Sequence, residues 1–156
     1  MIKRTASLLR LTQADFILMN AAHAVLLIDI DNTLLSPTES SIRPQLKSWI
    51  ETMAKDHTIL LCTNNFTQRQ FKVSEDLNLP ILMRSFKPFP MRVLSYLRAH
   101  RLKPDSIVVI GDQVVTDVLL AKWLKRPHIL IKPMERDRHL LTRYLRYFES
   151  VVIQDE

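Results

Sequence analysis

Ala24-Val25-Leu26-Leu27-Ile28-Asp29-Ile30-Asp31-Asn32-Thr33 is an apolar run that ends in two carboxylates spaced two residues apart. Five consecutive apolar residues without alternation read as a strand buried on both faces, as in parallel sheets. In extended chain the side chains alternate, so Asp29 and Asp31 are expected to leave the strand end on one side, close enough to share a divalent cation and a substrate. Like charges at that distance resist joint ionisation, which either raises one pKa or calls for a metal between them.

Working outward, three more apolar runs end in polar clusters. Ile59-Leu60-Leu61-Cys62 precedes Thr63-Asn64-Asn65, and Ile81-Leu82-Met83 comes shortly before Lys87-Pro88. Ile107-Val108-Val109-Ile110 precedes Gly111-Asp112, with Asp117 following. Helical segments fill the gaps. Residues 44–55 place Leu46, Trp49, Ile50 and Met53 on one face, with Pro44 in the first turn, where its missing N–H costs nothing. Residues 67–77, the stretch after Pro90 with Val93, Leu94 and Leu97, and residues 116–125 supply further helices, and Ile129-Leu130-Ile131 a fifth short strand. This alternation predicts an α/β fold, a three-layer, doubly wound, Rossmann-like parallel sheet. Ligands of such sheets bind beyond the carboxyl ends of the strands, so all four clusters are expected on one rim.

The intervals 34–61 and 65–86 each hold one helix and one strand, which leaves no room for a cap domain. An open site of this kind suits a bulky substrate presented at a surface.

Composition sets the remaining bounds. With 156 residues, 47% of them hydrophobic, and no compositional break, a single domain over 1–156 is expected, its core at about residues 22–134. Cys62 is the sole cysteine, which excludes an internal disulfide and reads as a small core residue. Arg10, Gln13 and Asp15 interrupt the first twenty residues before any long apolar stretch, so a soluble or peripheral cytoplasmic protein is expected. The five histidines show no ligand-like spacing. Gly111 is the only glycine, and its place before Asp112 predicts a positive φ or a close approach to a ligand.

The net charge of +6 lies wholly in the second half: residues 1–80 hold 8 basic and 8 acidic residues, residues 81–156 hold 14 and 8. That asymmetry favours an anionic partner, whether phosphorylated substrate, membrane surface or nucleic acid. Residues 135–149 read as a basic amphipathic helix, with Leu140, Leu141, Tyr144, Leu145 and Phe148 beside Arg136, Arg138, Arg143 and Arg146. Packing on the sheet is the plainer role for this face, and docking on an anionic membrane at its inner surface the functional one.

Taken together, Asp29-x-Asp31-x-Thr33, Thr63-Asn64, Lys87 and Gly111-Asp112 with Asp117 resemble the haloacid dehalogenase (HAD) superfamily of phosphohydrolases, subfamily IIIA. Asp31-Asn32-Thr33-Leu34, Thr63-Asn64-Asn65, Lys87-Pro88 and Gly111-Asp112-Gln113 with Thr116-Asp117 are similar to its YqeG branch, which is akin to phosphatidylglycerophosphate phosphatases. The resemblance runs from about Val25 to Ile131. It implies that Asp29 attacks phosphorus to form an aspartyl-phosphate and that Asp31 serves as acid and base. It further implies Mg²⁺ held by the Asp29 carboxylate, the Asp31 carbonyl and the Asp112 carboxylate, with Asp117 supporting through water. Thr63, Asn64 and Lys87 would bind the phosphoryl group, Asn64 through its backbone. Met91 and Arg92 depart from the pattern where a glycine commonly stands, and the helix after Asp117 lacks the usual glycines.

A phosphatase for a small soluble ester is the first alternative. The second is a non-catalytic basic module binding RNA or membrane, although the sequence shows neither an RNA-binding motif nor a clustered aromatic platform.

Overall fold

The computed structural model describes residues 2–102 and 107–135. The elements run β1 (Ile2–Thr5), a 3₁₀ turn at Leu8–Arg10, α1 (Gln13–Leu18), β2 (Val25–Ile28), α2 (Pro44–Met53), β3 (Thr58–Cys62) and α3 (Gln68–Leu77). After these come β4 (Ile81–Leu82), α4 (Met91–Ala99), β5 (Ile107–Gly111), a π-helical turn at Val114–Val118, α5 (Leu119–Leu124) and β6 (His128–Ile131). All six strands join one parallel sheet in the order β1-β6-β5-β2-β3-β4. The predicted amphipathic helix at 135–149 lies outside the described residues.

The three layers follow from the period of two within β2. Leu26 and Ile28 enter the core shared with Phe16, Trp49 and Val73 of α1, α2 and α3, whereas Val25 and Leu27 enter the core shared with Val93, Leu97 and Leu120 of α4 and α5. Each face of the strand is therefore covered by helices, which explains the unbroken apolar run. In register, Ile28 lies beside Leu61 on one side and Ile110 on the other. The residue after it, Asp29, emerges at the middle of the sheet, and its N–H donates to the Ile110 carbonyl at 2.9 Å.

The sequence pattern does not single out β1. Ile2–Thr5 carries Lys3 and Arg4, and no apolar run marks it. Among the described residues it is an edge strand paired with β6, a position where charged residues are tolerated. The segment after it is anchored by the Trp49 indole, which donates to the Leu11 carbonyl at 2.8 Å. Neither inserted segment forms a separate unit: residues 29–43 and 63–67 pass directly from strand to helix.

Gly111 departs from expectation in one respect. Its φ is not positive; the left-handed positions belong to Asn20, Asn32, Asn78, Arg84, Phe86, Arg101 and Lys125. Glycine is required instead because a Cβ there would lie 2.2 Å from Asp117 Oδ2. The close neighbour is the Asp117 side chain.

His128, at the start of β6, is buried with neither ring nitrogen hydrogen-bonded. Burial, only partly offset by the field of Asp117, pushes its pKa down to about 4. The fold thus keeps His128 neutral, while the unfolded chain protonates it near its ordinary value of about 6.5. Stability is fully present above that value and falls as pH drops through the interval toward about 4, by about 3 kcal/mol at most. Thermal melts from pH 7 to 4 are expected to lose that much less stability in His128→Leu than in the wild type; parallel curves would rule the histidine out.

Candidate active site

Four loops at the carboxyl ends of β2, β3, β4 and β5 meet at the rim, and Lys87 joins them. Its ammonium donates to Asp29 Oδ1 at 2.5 Å and to Asp117 Oδ1 at 2.7 Å, with all three side chains buried. Burial alone would push the Lys87 pKa down, but Asp117 and Asp29 outweigh it and hold the ammonium charged.

Oxygens of Asp29, Asp112 and Asp117 all lie within 4.8 Å of one another. Burial, followed in effect by Asp117, pushes the Asp112 carboxyl up to about 7. Burial likewise drives Asp29 well above the ordinary carboxylate range, Lys87 opposing and Asp117 and Asp112 reinforcing it. Asp112 Oδ1 is sealed from solvent with no hydrogen-bond partner. One ammonium faces three carboxylates, and a buried carboxylate oxygen without a hydrogen-bond partner can accept a cation. A set made only of carboxylate oxygens fits a hard divalent cation such as Mg²⁺.

Asp31 turns elsewhere. The chain bends at Asn32, whose φ is 61°, and Asp31 faces the start of α3. Arg69 Nη1 donates to its Oδ1 at 3.0 Å, Asn65 Nδ2 to its Oδ2 at 2.8 Å, and Gln70 Nε2 to both oxygens at 3.1 Å. Thr63 Oγ1 lies 3.5 Å from Oδ2. Arg69 is held in turn by the carbonyls of Ser36 and Glu39. The two aspartates therefore have separate surroundings: Asp29 lies in the buried acidic cluster, while the side chain of Asp31 is gripped by neutral and cationic donors.

Asn64 orders the Lys87 loop through its side chain. Its Oδ1 accepts from the Lys87 N–H at 2.7 Å and from Ser85 Oγ at 2.9 Å, and its Nδ2 donates to the Lys87 carbonyl at 2.9 Å. Asp117 is fixed by the Gln113 N–H, which donates to Oδ2 at 3.2 Å, and its carboxylate touches Lys87 directly. The absence of a Cβ at Gly111 makes room for that carboxylate. Cys62 is buried nearby, and burial pushes its thiol up to about 11, which suits a core residue rather than a nucleophile.

Every residue singled out from the sequence, Asp29, Asp31, Thr63, Asn64, Lys87, Asp112 and Asp117, falls on this rim. Asn65, Arg69 and Gln70 were missed as partners of Asp31. The signal available was the run Asn65 to Gln70 itself, which carries polar side chains into the first turn of a helix that starts at the rim.

Comparison with known proteins agrees with this geometry. A family model described as "Mitochondrial PGP phosphatase" matches residues 10–132. The chain is 32% identical over 130 residues to "Probable phosphatase YqeG" of Bacillus subtilis, covering 82% of this chain and 75% of that protein. Among solved structures, a HAD family enzyme of Bacteroides thetaiotaomicron in complex with magnesium and inorganic phosphate aligns with a TM-score of 0.59 at 12% identity, over 75% of this chain and 98% of that one. A HAD-like family hydrolase of Porphyromonas gingivalis aligns with a TM-score of 0.58 at 12% identity, over 79% and 98%. These two establish the fold. The family match over most of the chain, together with the identity to the Bacillus protein, makes the chain a member of the PGP phosphatase family, a HAD-type phosphoric monoester hydrolase.

Proposed function

We propose that the protein is an Mg²⁺-dependent phosphatase acting through an aspartyl-phosphate on Asp29, with phosphatidylglycerophosphate as substrate and the inner membrane face as its place of work. The observation that carries the reading is the Lys87 ammonium set between Asp29 and Asp117, next to the unpartnered Asp112 oxygen. A buried carboxylate poised beside a fixed cation, at the open end of a sheet, is what an in-line attack on phosphorus requires.

Asp29 attacks phosphorus through a carboxylate oxygen as the bond from phosphorus to the leaving alkoxide breaks. Asp31 delivers a proton to that alkoxide. Water then attacks the phosphorus of the aspartyl-phosphate, Asp31 takes a proton from it, and the Asp29 carboxylate departs with inorganic phosphate released. Lys87, the Thr63 hydroxyl and backbone amides near Asn64 offset charge on the equatorial oxygens, and the Asn64 side chain keeps Lys87 in position. Mg²⁺, held by Asp29, Asp112 and the Asp31 carbonyl with Asp117 in support, would supply charge neutralisation at the phosphoryl oxygens. The chain serves as one catalytic domain. No helix of the described residues is long and apolar enough to cross a membrane.

Phosphate release from phosphatidylglycerophosphate in detergent micelles, beside a soluble phosphate ester, tests the reading. Release from the lipid that EDTA abolishes and Mg²⁺ restores is the expected result. Turnover of the soluble ester alone would discard the lipid.

Arg69 is a positioning residue in this scheme, because it acts by fixing Asp31. Arg69→Ala is expected to lower kcat by about 10- to 100-fold with a much smaller change in KM, and Arg69→Lys to recover part of the loss. An equal rise in KM with kcat intact would make it a substrate-binding group instead.

A further inference from the structure

Of the ten exposed large apolar residues among the described ones, Leu9, Ile17, Leu18, Phe71 and Trp123 are spread over helical elements, whereas the other five gather at the carboxyl ends of the strands. Phe66 (60% exposed), Phe86 (57%), Phe89 (53%), Met91 (64%) and Val114 (56%) stand on the loops after β3, β4 and β5 or on the first residues of the helical segments that follow. Those are the loops that carry Thr63, Lys87 and Asp112. The sheet order β5-β2-β3-β4 spreads these side chains across three strand spacings, about 14 Å, with the mouth of the site among them. The tertiary structure thus brings to one rim apolar side chains that are dispersed in the sequence.

Two arginines are built into it. The Arg84 guanidinium lies 4.3 Å from the Phe66 ring centroid, and that of Arg92 lies 5.4 Å from the Phe86 ring centroid. No Asp or Glu occurs between Asp76 and Asp105, the interval that supplies the loop after β4 and all of α4. The backbone sets which side chains of the loop after β4 face outward. Arg84 and Phe86 hold left-handed φ values of 49° and 58° on either side of Ser85, which is wholly buried and bonded to Asn64. Residues 84 to 87 thereby alternate outward, inward, outward, inward, so the turn that buries Lys87 presents Arg84 and Phe86 to the outside.

We infer that this rim is the surface by which the enzyme docks on an anionic lipid bilayer, its phenylalanines entering the boundary of headgroups and acyl chains and Arg84 and Arg92 meeting the lipid phosphates. The inference rests on the lipid reading of the substrate given above and adds the surface that delivers it. Charge decides the occupant. The loop after β4 and α4, which carry Phe86, Phe89, Met91 and both arginines and no carboxylate, match an anionic interface, where aromatic rings and basic residues act together. In this arrangement a phosphomonoester headgroup enters the site directly, without the lipid leaving the membrane.

Co-sedimentation of the full chain with vesicles of equal parts phosphatidylglycerol and phosphatidylcholine, against phosphatidylcholine alone, tests this without turnover. Wild type is expected to bind the mixed vesicles far better. The triple variant Phe66→Ser, Phe89→Ser, Met91→Ser is expected to lose about tenfold or more in binding while hydrolysing a soluble phosphate ester at the wild-type rate. Arg84→Gln with Arg92→Gln is expected to erase the preference for the anionic vesicles. A third variant, with Arg136, Arg138, Arg143 and Arg146 changed to Gln, separates the rim from the basic C-terminal segment. If that variant alone loses binding, or the rim variant binds like wild type, or wild type ignores both vesicles, the docking surface is wrong. A rim variant that changes the oligomer size and not vesicle binding would overturn it in favour of a second copy of the chain. Lipid hydrolysis in micelles without vesicle binding would refute docking and keep the substrate, whereas vesicle binding through the rim without lipid hydrolysis would uphold docking and refute the substrate.

Discussion

Asp29→Asn is expected to leave the fold intact and to cut phosphate release by about 10⁴-fold or more, since the amide cannot act as the nucleophile that opens the first displacement. The two readouts separate because of the local charge. Asp29 is one of three clustered carboxylates facing Lys87, and burial already disfavours its ionised form. Replacing it by a neutral isostere relieves repulsion with Asp112 and Asp117 while Lys87 keeps its bond to Asp117 at 2.7 Å. The melting temperature should therefore equal or exceed that of the wild type. Calorimetry and single-turnover phosphate release on the same preparation provide the check, and a variant folded but turning over at the wild-type rate would remove Asp29 from the chemistry.

Lys87→Met is expected to harm both properties. The side chain is 3% exposed and its ammonium bonds to two buried carboxylates. Removing one partner of a buried charge pair leaves its counter-ions uncompensated, a loss of about 3–5 kcal/mol. The sign of the pH dependence identifies the cause. Without the ammonium, Asp29 and Asp112 favour their protonated forms in the fold, and Asp112 already titrates near about 7 there against an ordinary 3.8. Losing the ammonium, which lowers the pKa of both carboxyls, makes the folded variant hold more protons than the folded wild type, so its deficit should shrink as pH falls. Saturating Mg²⁺ should also shrink it, by supplying the missing positive charge. A deficit independent of both pH and metal would assign the loss to packing alone.

Arg69 and Asn64 show where reading the chain stops. Asp29, Asp31, Thr63, Lys87, Asp112 and Asp117 were legible because each follows or lies near an apolar run that a parallel sheet must bury, and the carboxyl ends of parallel strands share a rim. Asn64 was legible as part of that rim, but the work of its side chain was not: its bonds to Lys87 and Ser85 cross 21 to 23 residues of sequence. Arg69 and Gln70 reach Asp31 from 38 and 39 residues away, at the start of a helix that looks like any other amphipathic segment in the chain. β1 escaped notice for a different reason, since an edge strand needs no apolar run.

The sequence by itself determined the layering and the rim. The alternation of buried strands and one-faced helices, the short intervals without room for a cap, and the carboxylates at strand ends all follow from local periodicity and burial, which a linear chain displays. What only the tertiary structure decided is how the charges are partitioned. Arg69 and Gln70 draw Asp31 toward α3, the missing Cβ of Gly111 admits Asp117 against Lys87, and the loops after β3 and β4 bring Phe66, Phe86, Phe89 and Met91 to one rim. The physical reason is the same in each case: Coulomb and hydrogen-bonding energies depend on separations of a few ångströms between groups far apart in the chain, and those separations exist only after the sheet has set its strand order.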